Sequence, residues 1–153
     1  MKVTGRRLAL LATAVIAAAG AVYLAGPLFY DIAVQETLPE ASGSPTVVYG
    51  GSFRDADDFH RASGTVQILR SANGTHYLRF EEFRVTNGPD LFVYLGTTED
   101  VNLGFLDLGR LKGNVGEQNY QIPVDTDLMR YRTVIIWCRA FSVPFGYATL
   151  STS

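Results

Sequence analysis

The sequence predicts an all-β fold, a small β-sandwich or barrel, preceded by one N-terminal transmembrane helix. Two observations indicate the β fold: short β-prone runs recur between turn residues, and no helical period appears beyond residue 30. A third, an uncharged stretch behind a basic start, indicates the helix. The chain has 153 residues, enough for one domain with one core.

The first thirty residues divide into a basic start, 1–7, and an uncharged stretch, 8–30. A run of more than about 18 apolar residues is long enough to cross a bilayer as a helix. We therefore expect a signal-anchor at 8–30, with the membrane as the partner of this segment. Basic flanks stay in the cytoplasm, which predicts a single-pass protein of the cell membrane whose C-terminal part lies outside the cytoplasm.

A cleaved signal peptide is the alternative for the same stretch. Its short apolar core is followed by Ala17-Ala18-Ala19, which fits a small-residue cleavage site. Cleavage there would leave a second apolar half at the new N-terminus, and a signal peptide is not expected to carry one. The length of the stretch therefore favours the uncleaved anchor.

Residues 31–46 combine Pro, Gly, Ser and Glu without a period, which predicts a linker. The folded domain is expected at 47–153. Asn73-Gly74 predicts a hairpin turn, and in its second arm Leu78 and Phe80 share one face. The predicted strands are 64–70, 75–85, 90–96, 119–124, 132–141 and 144–151. Residues 97–118 are expected to form a long polar loop.

The strand at 132–141 is apolar on both sides. Val134, Ile136 and Cys138 point one way by alternation, whereas Ile135 and Trp137 point the other way. A strand that is apolar on both faces is buried on both faces, so we expect it at the centre of a sheet. Cys138 is therefore expected inside the fold or at a closed mouth.

Four motifs, in this order, are similar to the DM-thirteen domain family: GSFRDADDFHRASGTVQIL, GPDLFVYL, LGRLKGNVGEQNYQIP and VIIWCRAFSVPFGYATL. The resemblance covers about Tyr49 to Leu150. It implies a β-rich extracytoplasmic module, here as one membrane-anchored copy, with a proposed electron-transfer role. In the family that role rests on a shared cysteine and on the company of haem-type domains in longer proteins. The matching cysteine here is Cys138.

Cys138 and His60 are the candidate redox or ligand-holding residues. One cysteine cannot form an internal disulfide, so its thiol is either a buried hydrophobe or a group used in redox exchange or ligation. His60 lies in the family-like FHRASG segment. Haem or copper could use both residues with Met129 as a soft third ligand. No C-x-x-C-H and no histidine pair supports this, so the cofactor stays unknown.

Several function classes are disfavoured by the sequence. The carboxylates of Asp55, Asp57 and Asp58 lack the ligand order of an EF-hand, so we expect a solvated acidic loop. Beyond residue 7, ten basic residues face 15 acidic ones with no basic stripe, so we expect no nucleic acid partner. No hydrolase or phosphate-loop signature appears, so a conventional enzyme is not expected.

Two functions therefore stay open. The first is a membrane-anchored redox module centred on Cys138, acting with a redox partner protein. The second is a non-catalytic module that binds a ligand or a surface protein, in which Cys138 only packs the core.

Overall fold

The computed structural model describes residues 5–26, 30–38 and 45–152. One helix, α1 (Gly5–Ala25), precedes ten strands, and a short 3-10 turn at Val101–Leu103 separates two of them. The strands are β1 (Ala33–Gln35), β2 (Thr46–Asp55), β3 (Ala62–Arg70), β4 (His76–Val85), β5 (Leu91–Gly96), β6 (Phe105–Arg110), β7 (Val115–Gln121), β8 (Thr133–Cys138), β9 (Val143–Thr149) and β10 (Ser151–Thr152).

The N-terminal helix differs from the expected transmembrane segment at 8–30. It begins at Gly5, within the expected basic start, and ends at Ala25. Within 5–26, 30–38 and 45–152, no helix is both long and apolar enough to cross a bilayer, so the structure does not support the predicted span. Residues 1–4 and 27–29, which belong to the same prediction, lie outside the described residues.

The strands form a half-barrel, sandwich-like sheet in the order β1-β7-β4-β3-β2-β9-β8-β5-β6, with β10 beside β2. Strand β2 joins its two halves. The first part of β2, up to Ser52, pairs with β3, and its last three residues pair with β9. Every pair on this path is antiparallel except β1 with β7. The predicted all-β sandwich is thus confirmed.

The core lies between the two halves. Phe53, Phe80 and Phe83 form its aromatic centre, with ring centroids 4.8–4.9 Å apart. Each fully buried side chain of this size stabilises the fold by about 1.5–3 kcal/mol. Other fully buried core residues are Val66, Ile68, Leu78, Val93, Leu95, Val134, Ile136, Cys138 and Ala148.

Strand β8 lies between β5 and β9, as its two apolar faces predict. Val134, Ile136 and Cys138 point into the core cluster, and Ile135 is buried on the opposite face. The predicted hairpin is also present: β3 and β4 pair from Ala62–Val85 to Arg70–His76.

The prediction of a long polar loop at 97–118 is wrong. It contains β6 and the first residues of β7. These strands were missed because they alternate poorly: β7 reads VGEQNYQ. Its fully buried Gln118 is satisfied by hydrogen bonds with Gly113 and the Tyr120 hydroxyl, so a buried polar network replaces the apolar face that pattern recognition needs.

The expected linker, residues 31–46, also contains ordered structure. Strand β1 pairs with β7 in register Ala33–Val115, Val34–Gly116 and Gln35–Glu117. We call residues 31–37 the strap, because they lie along the edge of the sheet. Residues 39–44 of the expected linker lie outside the described residues.

Candidate functional site

Cys138 is the last residue of β8 and is completely buried. It faces Leu91 on β5 and Val143 on β9. The thiol therefore lies in the core at one end of the sandwich, which we call the cysteine end. The loops between β2 and β3, between β4 and β5, and between β6 and β7 meet at this end, because Ala62 pairs with Val85 and the backbone N–H of Leu111 donates to the carbonyl of Leu91.

His60 lies at the same end, in the loop between β2 and β3. Its Nδ1 is 2.7 Å from Oδ2 of Asp57. Oδ1 of Asp57 accepts the backbone N–H groups of Phe59 and His60, each at 2.8 Å. These hydrogen bonds, that of the His60 side chain first, lower the pKa of Asp57 to about 2. Asp57 thus fixes both the loop and the imidazole.

Phe145 connects His60 to the core. Its ring lies against the imidazole, with centroids 4.2 Å apart, and it belongs to the same core cluster as Cys138. It is the extra residue of a β-bulge: Ile136 is opposite Gly146, whereas Trp137 is already opposite Pro144. A β-bulge tolerates Pro144 within the strand and changes the direction of the side chain that follows, that of Phe145.

Met129 does not join this group. Its sulfur accepts hydrogen bonds from the Tyr49 hydroxyl at 3.6 Å and from Arg132 at 3.3 Å. Arg132 precedes β8 and Cys138 ends it, so the two lie about 17–20 Å apart along the strand. A haem or copper centre made of Cys138, His60 and Met129 therefore does not fit this geometry.

The acidic residues beside His60 are engaged with their own loop. Oδ1 of Asp55 accepts the backbone N–H of Ala62 at 2.9 Å, and Asp57 is bound as described above. Among the described residues, no group of three or more His, Cys, Asp or Glu side chains is placed to hold a metal ion.

A cavity of about 240 Å³ opens at the cysteine end. Leu91, the strand neighbour of Cys138, forms part of its wall, and Ile32 of the strap forms another part. The cationic side chains of Arg110 and Lys112 also line it. They are paired with Asp90 and Glu36, so the cavity carries no excess of charge from them.

The sequence did not predict the contacts on the outer face of the sheet next to Cys138. Alternation sends Arg139 away from the thiol, and there it donates to the Tyr94 hydroxyl at 2.7 Å and pairs with Asp107. Its guanidinium lies 3.4 Å from the centroid of the Phe92 ring. The hydrogen bond to Tyr94, followed by that to Asp107, raises the pKa of Arg139. The guanidinium is therefore engaged on the outer face of the sheet.

The fold and the cysteine end together define a class of protein. It is a small all-β, sandwich-like domain with one thiol enclosed at the end of a central strand. Residues 52–150 match the family model described as "Electron transfer DM13". The chain therefore belongs to the DM13 family, as its four motifs predicted. No curated protein and no solved structure matches the chain.

Proposed function

We propose that the chain is an electron-transfer module. In this module Cys138 is either the redox group itself or the residue that holds a redox-active ligand, and His60 lies near it. The observation that carries the proposal is the match of residues 52–150 to the electron-transfer family. The match covers the fold from the middle of β2 to the end of the core. Cys138 is the chain's one cysteine, and an internal disulfide is excluded.

The arrangement of the cysteine end supports this role in two ways. Cys138 is the last residue of β8, next to the loops of the cysteine end, and not in the middle of the strand. His60 and Phe145 form a packed connection from the surface loop to the core cluster that contains Cys138. A redox partner would dock where His60 and the exposed Phe59 lie.

The second candidate is a non-catalytic binding module in which Cys138 only packs the core. The complete burial of Cys138 among apolar side chains favours it, because a free cysteine commonly behaves as a small hydrophobe. In that case the loops of the cysteine end would bind a ligand or a surface protein.

One experiment separates the two candidates. The chain is purified without reducing agent, its absorption spectrum and metal content are recorded, and its redox response is measured by protein-film voltammetry. Cys138→Val and Ile136→Val are compared, because both residues are buried on the same face of β8. Electron transfer at Cys138 predicts a signal that is lost in Cys138→Val and kept in Ile136→Val. Identical behaviour of all three chains assigns Cys138 to packing.

We also propose that the β domain lies outside the cytoplasm. The basic start and the uncharged stretch 8–30 support export, by an anchor or by a cleaved signal. A C-terminal tag should be digested by protease added to intact spheroplasts, and fractionation then reports whether the chain is retained or released. A tag that is protected until lysis contradicts export.

A further inference from the structure

The strap completes the edge of the sheet at β7. The backbone N–H of Val115 donates to the carbonyl of Ile32 at 3.3 Å, and that of Glu36 donates to the carbonyl of Glu117 at 3.0 Å. The family match begins at residue 52, so β7 belongs to the matched domain and the strap does not. Without the strap, β7 would present unpaired backbone groups that can pair with another strand.

Gly113 makes room for the strap. A Cβ built at this residue would collide with the carbonyl oxygen of Ile32 and would lie 2.7 Å from Cγ2 of Val34. The three nearest atoms all belong to the strap, so a side chain at this position would collide with the strap first.

Charged and amide groups hold both ends of the strap. At its start, Oδ1 of Asp31 accepts the side-chain amide of Asn114 at 2.7 Å, and Oδ2 pairs with Arg84 at 3.1 Å. At its end, the carboxylate of Glu36 receives Nζ of Lys112 at 2.7 and 2.9 Å.

The backbone around Glu36 is bound as well. Asn119 donates its backbone N–H to the carboxylate of Glu36 at 2.7 Å and its side-chain amide to the carbonyl of Thr37 at 2.8 Å. Arg79, which is nearly buried, donates to the carbonyl of Glu36 at 3.0 Å. The edge therefore selects an extended segment with carboxylates five residues apart.

The chain between the strap and β2 is long enough for exchange. Strands β7, β4 and β3 separate β1 from β2, so the connection must cross about 19 Å. The ten residues from Glu36 to Thr46 reach up to roughly 33 Å when extended. The surplus allows the strap to leave its own sheet and to reach a neighbouring one.

We propose that the β7 edge is a docking site for an extended acidic segment, and that the strap of a second copy of this chain occupies it when the chain's own strap is released. The contacts in the exchanged pair are those described within one chain, as in strand exchange between identical subunits. In one isolated chain the intramolecular strap wins, because its effective concentration is high.

Two full-length variants test the proposal. The donor carries Gly113→Val, which blocks its own edge and keeps the strap intact. The acceptor carries Asp31→Lys and Glu36→Lys, which place positive charges against Arg84 and Lys112 and leave the edge open. The control is the acceptor with Gly113→Val added. One partner is labelled with a fluorophore, and association is measured by analytical ultracentrifugation.

Donor and acceptor should associate one to one, with an affinity at least about tenfold higher than donor and control. Equal affinities in the two mixtures overturn the proposal. The control differs from the acceptor only at the β7 edge and keeps every other surface, α1 included. A synthetic peptide of residues 30–38 that binds the acceptor while the two chains stay apart also overturns it, since the edge would then accept peptides and not a second copy. If Gly113→Val prevents the domain from folding, Gly113→Ala replaces it, because a Cβ alone already collides with the carbonyl oxygen of Ile32.

Discussion

Cys138 is enclosed by the side chains of a tightly packed core, so its sulfur is sensitive to a change of polarity. We expect Cys138→Ser to lower the free energy of unfolding by about 1–3 kcal/mol, because a buried hydroxyl needs a hydrogen-bond partner. Cys138→Val, an apolar side chain of similar size, should cost less. Urea unfolding of the three chains measures the difference. A serine variant as stable as the valine variant would show that a polar partner is available at this site.

At the residue scale, the sequence predicted Cys138 well and its surroundings poorly. Alternation along β8 was enough to place the thiol inside, because both faces of that strand are apolar. The position of Phe145 could not be predicted by alternation, since the bulge in β9 shifts the alternation by one residue and Pro144 alone does not locate that shift. The approach of His60 to Phe145 depends on that shift.

At the scale of single elements, the β3–β4 hairpin depends on its turn. Gly74 has φ +86°, and a Cβ there would have no atom within 4 Å. Gly74→Ala should therefore lower the free energy of unfolding by about 1–2 kcal/mol through backbone strain alone. Gly74→Asn, which tolerates this region better, is the matched control and should cost less. Chemical denaturation measures both, and equal losses would contradict a backbone origin.

The strap should be released by acid. Burial alone would raise the pKa of Glu36, but the hydrogen bonds from Lys112 and Asn119 and the charges of Lys112 and Arg79 together outweigh it, so the pKa lies below its ordinary value. Hydrogen bonds from Asn114 and Arg84 lower the pKa of Asp31. A lowered pKa means that the stabilisation is complete above the ordinary carboxyl range and is lost as the pH falls through the lowered values.

Hydrogen exchange of the β1 amides measures this release. We expect protection at pH 6 and its loss, after correction for intrinsic exchange rates, on going to about pH 3. Glu36→Gln should weaken protection at pH 6 and flatten the pH dependence. Unchanged protection in that variant at both pH values would show that the carboxylate does not hold the strap.

The elements that the sequence failed to predict share one physical property. The predicted strands β3, β4, β5 and β8 bury runs of apolar side chains, and β5 and β8 do so on both faces. By contrast, β7 buries Gln118 in a hydrogen-bond network, and β1 is held by carboxylates and backbone groups. The contacts of β1 depend on residues about 80 positions away in the chain, as in Asn119–Glu36, and a local pattern does not contain them.

The topology of the whole molecule sets its folding rate. Strands β1 and β7 pair across 82 residues, and β2 pairs with the distant β9. Because such contacts close long loops, we expect folding in milliseconds to seconds, without a microsecond phase. Stopped-flow refolding followed by the fluorescence of Trp137, the chain's one tryptophan, measures it. Complete recovery of the native Trp137 fluorescence within the dead time of the instrument would contradict this expectation.

The parallel direction of β1 also fixes the end at which the strap enters the domain. Ala33 lies beside Val115, at the start of β7, and therefore at the cysteine end. Four residues lie between Ala25, the last of α1, and Tyr30 at that end, a reach of at most about 18 Å. The strap therefore enters the domain beside Cys138 and His60, at the opposite end from the Asn73-Gly74 hairpin. Tyr30 and Ile32 line the cavity at this end, so a molecule that enters the cavity also meets the segment that leads into β1.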